Sequence, residues 1–491
     1  MKEYHIEEFK GVDQSRQQSA IDSGCSPDAC NMDTSDGSLS IAKGYVKHLQ
    51  SPVPGAGAIR RLAIWRDLVT TRYVVVAGRE IYAYTDTDET PQWNLIYTYP
   101  DTVNGLRFDI REVKIGTEDY LLFANGETPI VKWDGNGNGV AFGSAEQVSD
   151  KKVNFLAMHY GRLFSAGDPE NPSRLYWSQL PGDNRSIENW ASDAASPHTS
   201  GGHVEIGDTG GDPITGLCAL SNQLLIFKRG SVYRLLGDRP SNYRVYRVNG
   251  EMSQMVNTAC VVYGDIPYWM TKTGLLFHDG QSTQLMFNAS DLKTFLQGAV
   301  FTNCRGAQAQ NRLYFTAYEQ ARDPENQGAR RSYDNALVVY DLQRRSYMLR
   351  RGFQIGDIYG ADGTLYLIND SRYLYRFDEG PDYDGTPIQA YWNTPLTDLN
   401  SKPAIKSLQE LYLRGIGQSE GEGAILLIDA QAGRHRHNYR HLMPEQETDV
   451  LEIPLKNEGR TFALKFYNEA GSRWRILGGV ELLYELRLRP M

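Results

Sequence analysis

The chain has 491 residues, of which 41% are apolar, and a formal net charge of −9. This length exceeds one ordinary hydrophobic core and predicts two or three domains, or one large repeat array with an appendage. The acidic excess argues against nucleic acid as a tightly bound partner. The sequence contains no apolar run of about 18 residues, so we expect no membrane-spanning helix.

Cysteine usage and the charged start of the sequence, MKEYHIEEFK, predict assembly in a reducing cytoplasm. Cys25 and Cys30, in CSPDAC, could close a small disulfide or supply half of a zinc site. No second Cys/His pair follows at zinc spacing. We therefore expect reduced thiols with a structural role.

Residues 1–50 show no convincing hydrophobic periodicity and are punctuated by Gly, Ser and Asp. This composition predicts an extended N-terminal arm with one short strand at Leu39–Ile41. The flexible sequence SPVPGAG follows at residues 51–57. We place the end of the arm at residue 50.

Residues 51–387 repeat a pair of short apolar strands seven times, most clearly between Asp212 and Gly237. The earlier strand of each pair begins at Tyr73, Tyr120, Arg162, Leu224, Pro267, Arg312 and Thr364. The later strand begins at Ile81, Ile130, Arg174, Val232, Leu275, Leu337 and Leu374. The residues that close the later strands lie 37 to 63 positions apart. Such uneven spacing excludes a rigid solenoid and predicts a β-propeller of about seven blades, whose loops accept insertions.

Residues 388–491 carry longer, more cleanly alternating strands separated by turns such as GQSEGEG and NEAGSR. Six or more antiparallel strands in about 100 residues predict a β-sandwich of jelly-roll type. The only helical candidates are short, at Ser290 to Leu296 and Lys402 to Ser407. The predicted fold class is therefore all-β, with the arm at 1–50, the propeller at 51–387 and the sandwich at 388–491.

Two segments contain potential metal ligands, and each has a structural interpretation that we favour. Asp134, Asn136 and Asn138 match the first half of a calcium loop, but Ala145 occupies its twelfth position, and an Asn/Gly hairpin turn explains the pattern. His435, His437 and His441 could ligate a transition metal, yet arginines at 434, 436 and 440 oppose a cation. An exposed basic strand or loop is the preferred interpretation of the histidine segment.

Catalytic signatures are lacking: the sequence has no Gly-x-Ser-x-Gly, no His-Glu-x-x-His and no phosphate-binding glycine loop. The single Lys-Trp-Asp-Gly at Lys132 is not a WD40 signature. Aromatic residues of the later strands are expected to pack between blades, with a sugar-binding platform as the alternative. The basic turn Lys228-Arg229 is expected to be a surface or contact feature. We predict no catalytic, cofactor-binding or metal-binding residues, no cofactor and no enzyme activity.

The segment NPSRLYWSQLPGDNRSIENW (Asn171 to Trp190) leads through a polar linker to ITGLCALSNQLLIFKRGSVYRLLG. Together they resemble the propeller of tailed-bacteriophage tail proteins of the nozzle type. The arm sequence GVDQSRQQSAIDSGCSPDACNMDTSDGSLSIAKGY and the segment IQAYWNTPLTDL (Ile388 to Leu399) are also similar to that group.

The resemblance implies a structural virion protein that forms a homo-oligomeric ring, a hexamer, in the phage tail. Its implied partners are the head–tail adaptor, other tail proteins and tail fibres, after assembly in the host cytoplasm. The acidic net charge fits this role, because genomic DNA could pass during ejection without being bound tightly.

Two other functions remain open from the sequence. One is a carbohydrate-binding or carbohydrate-cleaving propeller, in which a pair of carboxylates would act on a glycan, although no pair stands out among 60 acidic residues. The other is a neck or receptor-binding tail protein of a long-tailed phage.

Overall fold

The computed structural model describes residues 1–87, 91–105, 107–207, 212–250, 259–286, 292–301, 303–322, 330–399, 401–417, 424–433, 435–446 and 450–487. Within these ranges the elements are almost all β-strands, arranged in nine sheets, which confirms the all-β class. No helix in the same ranges is long and apolar enough to cross a membrane.

The N-terminal residues form short strands and one 3-10 turn at Gln18–Ala20, where one strand was predicted. The strands are β1 (Lys2–Ile6), β2 (Gly11–Val12), β3 (Cys25–Ser26), β4 (Ala29–Cys30), β5 (Met32–Asp33), β6 (Leu39–Ile41) and β7 (Tyr45–Lys47).

Seven successive sheets follow, of which the first six each contain a four-stranded antiparallel meander and the seventh a three-stranded one. Sheet one has β8 (Ile59–Arg66), β9 (Thr71–Ala77), β10 (Glu80–Thr85) and β11 (Trp93–Thr98). Sheet two has β12 (Asp109–Ile115), β13 (Glu118–Ala124), β14 (Val131–Trp133) and β15 (Val140–Ala141). Sheet three has β16 (Phe155–His159), β17 (Arg162–Ala166), β18 (Arg174–Trp177) and β19 (Gly202–Glu205). Sheet four has β20 (Ile214–Ala219), β21 (Leu224–Lys228), β22 (Val232–Leu236) and, after a 3-10 turn at Pro240–Asn242, β23 (Arg244–Arg247).

The remaining three sheets of this series gain strands from elsewhere in the chain or from their own loops. Sheet five has β24 (Asn249–Gly250), β25 (Val261–Tyr263), β26 (Ile266–Thr271), β27 (Gly274–His278) and β28 (Ser282–Leu285). The short helix α1 (Lys293–Gly298) precedes sheet six, which has β29 (Ala299–Val300), β30 (Gly306–Ala309), β31 (Arg312–Arg322), β32 (Arg330–Asp341) and β33 (Ser346–Arg351). Sheet seven has β34 (Asp357–Ala361), β35 (Thr364–Ile368) and β36 (Leu374–Phe377), and β7 pairs with β36 as its outer strand.

All fourteen strands predicted from the repeats are present. They are the second and third strands of the seven meanders, which begin at β25 in sheet five and at β30 in sheet six. These strands are recognisable because they are buried on both faces, as in β17 and β21, where every residue is buried. Burial on both faces requires a continuous apolar run rather than an alternating one. Outer strands such as β15 and β23 are mostly exposed and were not predicted. Among the first strands, only β20, which begins at Ile214, was recognised.

At two junctions between sheets, an aspartate that begins the first strand of one sheet accepts a backbone hydrogen bond from the other. Asp109 Oδ2 in sheet two accepts the amide of Leu156 in sheet three at 2.8 Å. Asp357 Oδ2 in sheet seven accepts the amide of Leu62 in sheet one at 2.6 Å. The last sheet therefore contacts the first sheet through the same interaction that joins the second to the third.

The C-terminal residues form two further sheets that also contain strands from the N-terminal residues. Their own strands are β37 (Tyr391–Asn393), β38 (Ile405–Gly417), β39 (Ile425–Ala432), β40 (His435–Leu442), β41 (Val450–Pro454), β42 (Glu458–Gly459), β43 (Phe462–Asn468) and β44 (Trp474–Arg487). Sheet eight follows the order β41-β38-β44-β6-β5, with β1 on β44 and β42 on β38. Sheet nine follows the order β4-β37-β43-β39-β40. The six strands predicted after residue 387 are all present.

Two helix predictions have different outcomes. The helix predicted at Ser290 to Leu296 is observed as α1, with residues 290 and 291 outside the described part of the chain. The helix predicted at Lys402 to Ser407 is wrong, because β38 begins at Ile405 and pairs with β42 and β44. A β-branched residue that opens an alternating apolar pattern favours a strand over a helix.

The N-terminal residues do not lie on the surface as a separate arm but complete four sheets. They supply β2 and β3 to sheet six, β7 to sheet seven, β1, β5 and β6 to sheet eight, and β4 to sheet nine. Phe9 is fully buried and packs edge-on against Trp392 and Phe466, with ring centroids 5.5 Å and 6.5 Å apart. One hydrophobic core therefore extends from sheets five to seven through the N-terminal residues into sheets eight and nine.

Candidate functional site

A polar cavity of about 400 Å³ lies where the N-terminal residues meet sheets six and seven and the start of β44. Its charged lining includes Asp33, Asp36, Arg312, Asp378, Arg473 and Arg475. Arg350 lies against the same carboxylates and is fully buried. We call Asp33, Arg312, Arg350 and Asp378 the arm junction.

Arg312 is the centre of the arm junction because its guanidinium reaches two carboxylates from different parts of the chain. Its Nη2 lies 2.9 Å from Asp33 Oδ2, and its Nη1 lies 3.3 Å from Asp378 Oδ2. Tyr314 donates its hydroxyl to the same Asp378 oxygen at 2.8 Å. Sheet six thus holds both the N-terminal residues and sheet seven through one side chain.

Arg350 adds a second guanidinium from β33. Its Nη1 donates to the carbonyl of Met32, and its Nη2 lies 3.6 Å from Asp33 Oδ2 and 3.9 Å from Asp378 Oδ1. Because the side chain is fully buried, its charge depends on these carboxylates for compensation. Asp341 adds a third carboxylate, 3.8 Å from Nε of Arg312.

The electrostatics of the arm junction favour the charged forms. Burial would raise the pKa of Asp33, but Arg350 and Arg312 outweigh burial and hold that pKa well below its ordinary value. Burial lowers the pKa of Arg312, but Asp33 and Asp378 raise it above the ordinary value overall. Burial and Asp378 raise the pKa of Tyr314. None of these three groups exchanges a proton near neutral pH, so this arrangement fastens segments and is unsuited to general acid–base catalysis.

Two further arginines hold the N-terminal residues beside the cavity. Arg473 Nη2 donates to the carbonyl of Ile41 at 2.8 Å, and its Nη1 donates to that of Ala42 at 3.1 Å. Arg475 Nε donates to Ser38 Oγ at 2.9 Å, and its Nη2 pairs with Asp36. Four contacts from these two arginines therefore join the start of the chain to its C-terminal sheets.

The turn predicted at Asp134 to Asn138 is the hairpin between β14 and β15. Asp134 Oδ1 accepts the amide of Asn136 at 2.9 Å, and Trp133 Nε1 donates to the carbonyl of Gly137 at 3.1 Å. The guanidinium of Arg72 lies against Gly135, so a positive charge adjoins the turn. These contacts confirm the hairpin interpretation.

The histidine segment is strand β40, which confirms the predicted exposed basic strand. His435 and His437 are exposed and line an open groove of about 620 Å³ together with Lys456 and Arg460. Partial burial lowers the pKa of His441.

A different group, Glu3, His5 and Glu481, is the one cluster of three potential metal ligands in the described ranges. It lies on the paired strands β1 and β44.

Cys25 and Cys30 are buried free thiols on strands β3 and β4, which belong to different sheets. Burial, followed by the nearby carboxylates of Asp22 and Asp13, raises the pKa of Cys25 to about 12. Burial also raises the pKa of Cys30. A raised pKa disfavours the thiolate, so neither group is suited to nucleophilic or metal-binding chemistry.

We expect Cys25 and Cys30 to resist alkylation in the folded protein and to react rapidly in concentrated urea. Iodoacetamide labelling followed by peptide mass spectrometry measures both rates. The variant Val262→Cys places a thiol at a position that is 44% exposed and serves as the reactive control. Labelling of Cys25 at the rate of the control would contradict the burial of the arm strands.

The expectation for Lys228 is wrong, because its side chain is buried between sheets three and four and does not lie on the surface. Its Nζ donates to the carbonyl of Ile206 at 2.6 Å and to Ser173 Oγ at 3.3 Å. Arg229 is exposed, as expected, 3.9 Å from Asp212. Lys132 pairs with Glu188 at 2.6 Å, an interaction between sheet two and the loop that joins β18 to β19 in sheet three.

The aromatic residues that close the later strands pack between sheets in some cases only, since Tyr84 and Phe277 contact rings of their own sheets. Trp133 of sheet two packs edge-on against Trp65 of sheet one, with ring centroids 5.9 Å apart.

Sequence reasoning missed the arm junction, because its four residues come from separate segments. The only local signal is that Arg312 and Asp33 are charged residues at the ends of apolar strands.

Comparisons with known proteins give no family. No family model and no curated protein matches the sequence. Solved structures that resemble the chain share about a tenth of its residues. PorZ of Porphyromonas gingivalis has a TM-score of 0.39 at 10% identity over 79% of this chain and 46% of its own. The extracellular domain of a hybrid two component system from B. thetaiotaomicron has a TM-score of 0.44 at 9% identity over 90% and 63%. This chain thus spans less than two thirds of either protein.

Proposed function

We propose that sheets one to seven form a seven-bladed β-propeller and that sheets eight and nine form a β-sandwich of jelly-roll type. The equivalent aspartate contacts between sheets two and three and between sheets seven and one support a closed ring of blades. Strand β7 closes this ring, because it lies outside β36 although it precedes sheet one in the chain. Closure with a strand from the other end of the repeat array protects the last blade edge.

We propose further that the protein is a structural component of a bacteriophage tail, where copies form a ring connected to the head–tail adaptor. The observation that carries this proposal is the integration of the N-terminal residues into four sheets. This integration makes the propeller and sandwich one continuous body, as a tail segment under mechanical load requires. The segment Asn171 to Trp190 and its surroundings resemble nozzle proteins, and this resemblance supports the proposal that the ring belongs to a phage tail.

The chemistry of the polar cavity at the arm junction supports a structural role rather than glycan cleavage. A glycosidase needs one carboxylic acid that remains protonated near neutral pH beside a second, ionised carboxylate. At the arm junction Arg312 contacts both Asp33 and Asp378, and the pKa of Asp33 is lowered rather than raised. The charge balance of the chain, −9 overall, allows DNA to pass a ring of copies without tight binding.

Native mass spectrometry of the purified full-length chain tests the ring. We expect a closed oligomer of about 330 kDa, six times the chain mass of 55.3 kDa. Antibody labelling of purified virions should place the protein at the tail. A monomer at every concentration, or glycan release that is lost in a single Asp or Glu variant, would overturn the proposal.

A further inference from the structure

Strand β40 is an exposed edge of sheet nine. One side of the strand pairs with β39 along its full length, from Ala432↔His435 to Ile425↔Leu442. None of its eight residues is buried. No described strand pairs with its other side. A free strand of this length presents a row of unpaired backbone donors and acceptors to a partner strand.

The surroundings of β40 are basic. The groove beside it has His435, His437, Lys456 and Arg460 in its lining, with Glu458 as the acidic member. Arg436 extends the positive charge to the opposite face of the strand, since successive residues of a strand alternate. Such charge discourages pairing of β40 with another β40 and favours an acidic partner strand.

Topology places a different free edge on the opposite side of the same pair of sheets. The chain passes directly from β38 to β39, from β40 to β41 and from β43 to β44. The strand order β41-β38-β44 of sheet eight is therefore aligned with the order β40-β39-β43 of sheet nine. Strands β40 and β41 therefore share one side. Strand β1, which pairs with β44 and with no other described strand, lies toward the other side.

The β1 edge is acidic where β40 is basic. Glu3 and His5 occupy one face of β1, and Glu481 lies directly opposite His5 on β44. The carboxylate of Glu3 lies 3.6 Å from the ring of His5 and is exposed. Glu7 follows the strand and is exposed. Three glutamates thus surround a strand whose only other charged side chains are Lys2 and His5.

We propose that β40 of one copy pairs with β1 of the next copy, so that a continuous sheet crosses each contact in the ring. The inference rests on the proposed ring and specifies the surfaces that form it. Two different edges on opposite sides of one subunit make a head-to-tail contact, which closes into a ring when the rotation per subunit permits. Backbone hydrogen bonds form the contact, and the glutamates of the β1 edge face the basic groove.

Charge reversal tests this contact while leaving the core intact. The variant R436E/H437E makes β40 acidic at two exposed positions, one on each face of the strand. We expect the concentration at half assembly to rise by about 100-fold or more, because like charges then meet across the contact. The matched control is R244E/R247E on β23, another basic strand with exposed arginines, and we expect it to assemble normally. Circular dichroism and thermal unfolding establish that both variants are folded.

A mixing experiment identifies the partner edge. The variant E3K/E481K makes the β1 edge basic and should also fail to assemble alone. Mixed in equal amounts with R436E/H437E, it should restore the oligomer, because each reversed edge then meets its complement in an alternating ring. A β40–β40 contact predicts instead that E3K/E481K, in which β40 is unchanged, assembles normally alone.

The outcomes separate this inference from the proposed ring. If the unmodified chain forms a ring and R436E/H437E forms the same ring, the contact lies elsewhere and only this inference fails. If R436E/H437E keeps its ring but loses binding to another tail protein, the occupant of β40 is that protein and not a second copy. A monomeric unmodified chain would overturn both.

Discussion

Replacing Asp357 with alanine is expected to lower the free energy of unfolding by about 3–5 kcal/mol, the cost of removing one partner from a buried ion pair. Asp357 is fully buried and lies 3.2 Å from both Arg61 and Arg305, while its second oxygen accepts the amide of Leu62. The alanine variant leaves two guanidinium groups close together without their carboxylate. It also removes the hydrogen bond that joins sheet seven to sheet one.

Urea unfolding followed by tryptophan fluorescence measures this loss, and Asp357→Asn serves as an intermediate variant. The asparagine keeps an acceptor for Leu62 but not the charge, so its effect should be smaller than that of alanine. Asp362→Ala is the matched control, because this aspartate of sheet seven also pairs with an arginine of sheet one, Arg66, but its side chain is 67% exposed. Equal effects of Asp357→Ala and Asp362→Ala would contradict a buried connection between the two sheets.

Replacing Asp33 with alanine is expected to loosen the N-terminal residues from the body of the protein. Arg350 is fully buried and the side chain of Arg312 is 14% exposed, and each loses a carboxylate in this variant. We expect a loss of about 3–5 kcal/mol in the free energy of unfolding. Limited proteolysis should also show cleavage within the first 50 residues at least about tenfold faster than in the unmodified chain, since proteolysis follows local opening.

The matched control for Asp33 is Asp36→Ala, which removes a more exposed carboxylate of the same segment and its pair with Arg475. Its effect should stay below about 1 kcal/mol. Unchanged proteolysis of Asp33→Ala would show that the arm junction does not hold the N-terminal residues.

The pH dependence of the Asp33 contribution follows from its lowered pKa. Because that pKa is lower in the folded than in the unfolded chain, ionised Asp33 stabilises the fold at every pH above its unfolded value of about 3.9. The contribution disappears only as the pH falls through the lower, folded value. The difference in stability between Asp33→Ala and the unmodified chain should therefore be constant from neutral pH to about 5 and shrink below about 4.

The sequence predicted strands best where burial alone determines their composition. A strand covered on both faces, such as β21, is apolar throughout and can be recognised without knowledge of its neighbours. An outer strand, such as β15, has two exposed residues and no pattern that marks it. Strand β7 was missed for a different reason: its partner β36 is more than 300 residues away, and nothing local indicates that pairing.

The arm junction was beyond sequence reasoning for the same reason of distance. Asp33, Arg312, Arg350 and Asp378 are ordinary charged residues in the sequence and become a cluster only through the tertiary fold. Lys228 was predicted wrongly for the same reason. A lysine beside an arginine and a glycine favours an exposed turn. The side chain is nevertheless buried, and its Nζ donates to the carbonyl of Ile206, which follows β19 of sheet three.

The pairing of β7 with β36 also constrains how the chain is made. During synthesis from the N-terminus, Tyr45–Lys47 leaves the ribosome long before Leu374–Phe377, so the outer position of sheet seven stays unfilled until most of the chain exists. Closing so long a loop is slow, because few contacts offset the lost chain entropy until both ends meet. Until then β7 lacks its partner strand, and we expect chaperones to bind the incompletely folded N-terminal residues. Nascent chains truncated before residue 374 should therefore retain a protease-sensitive N-terminus.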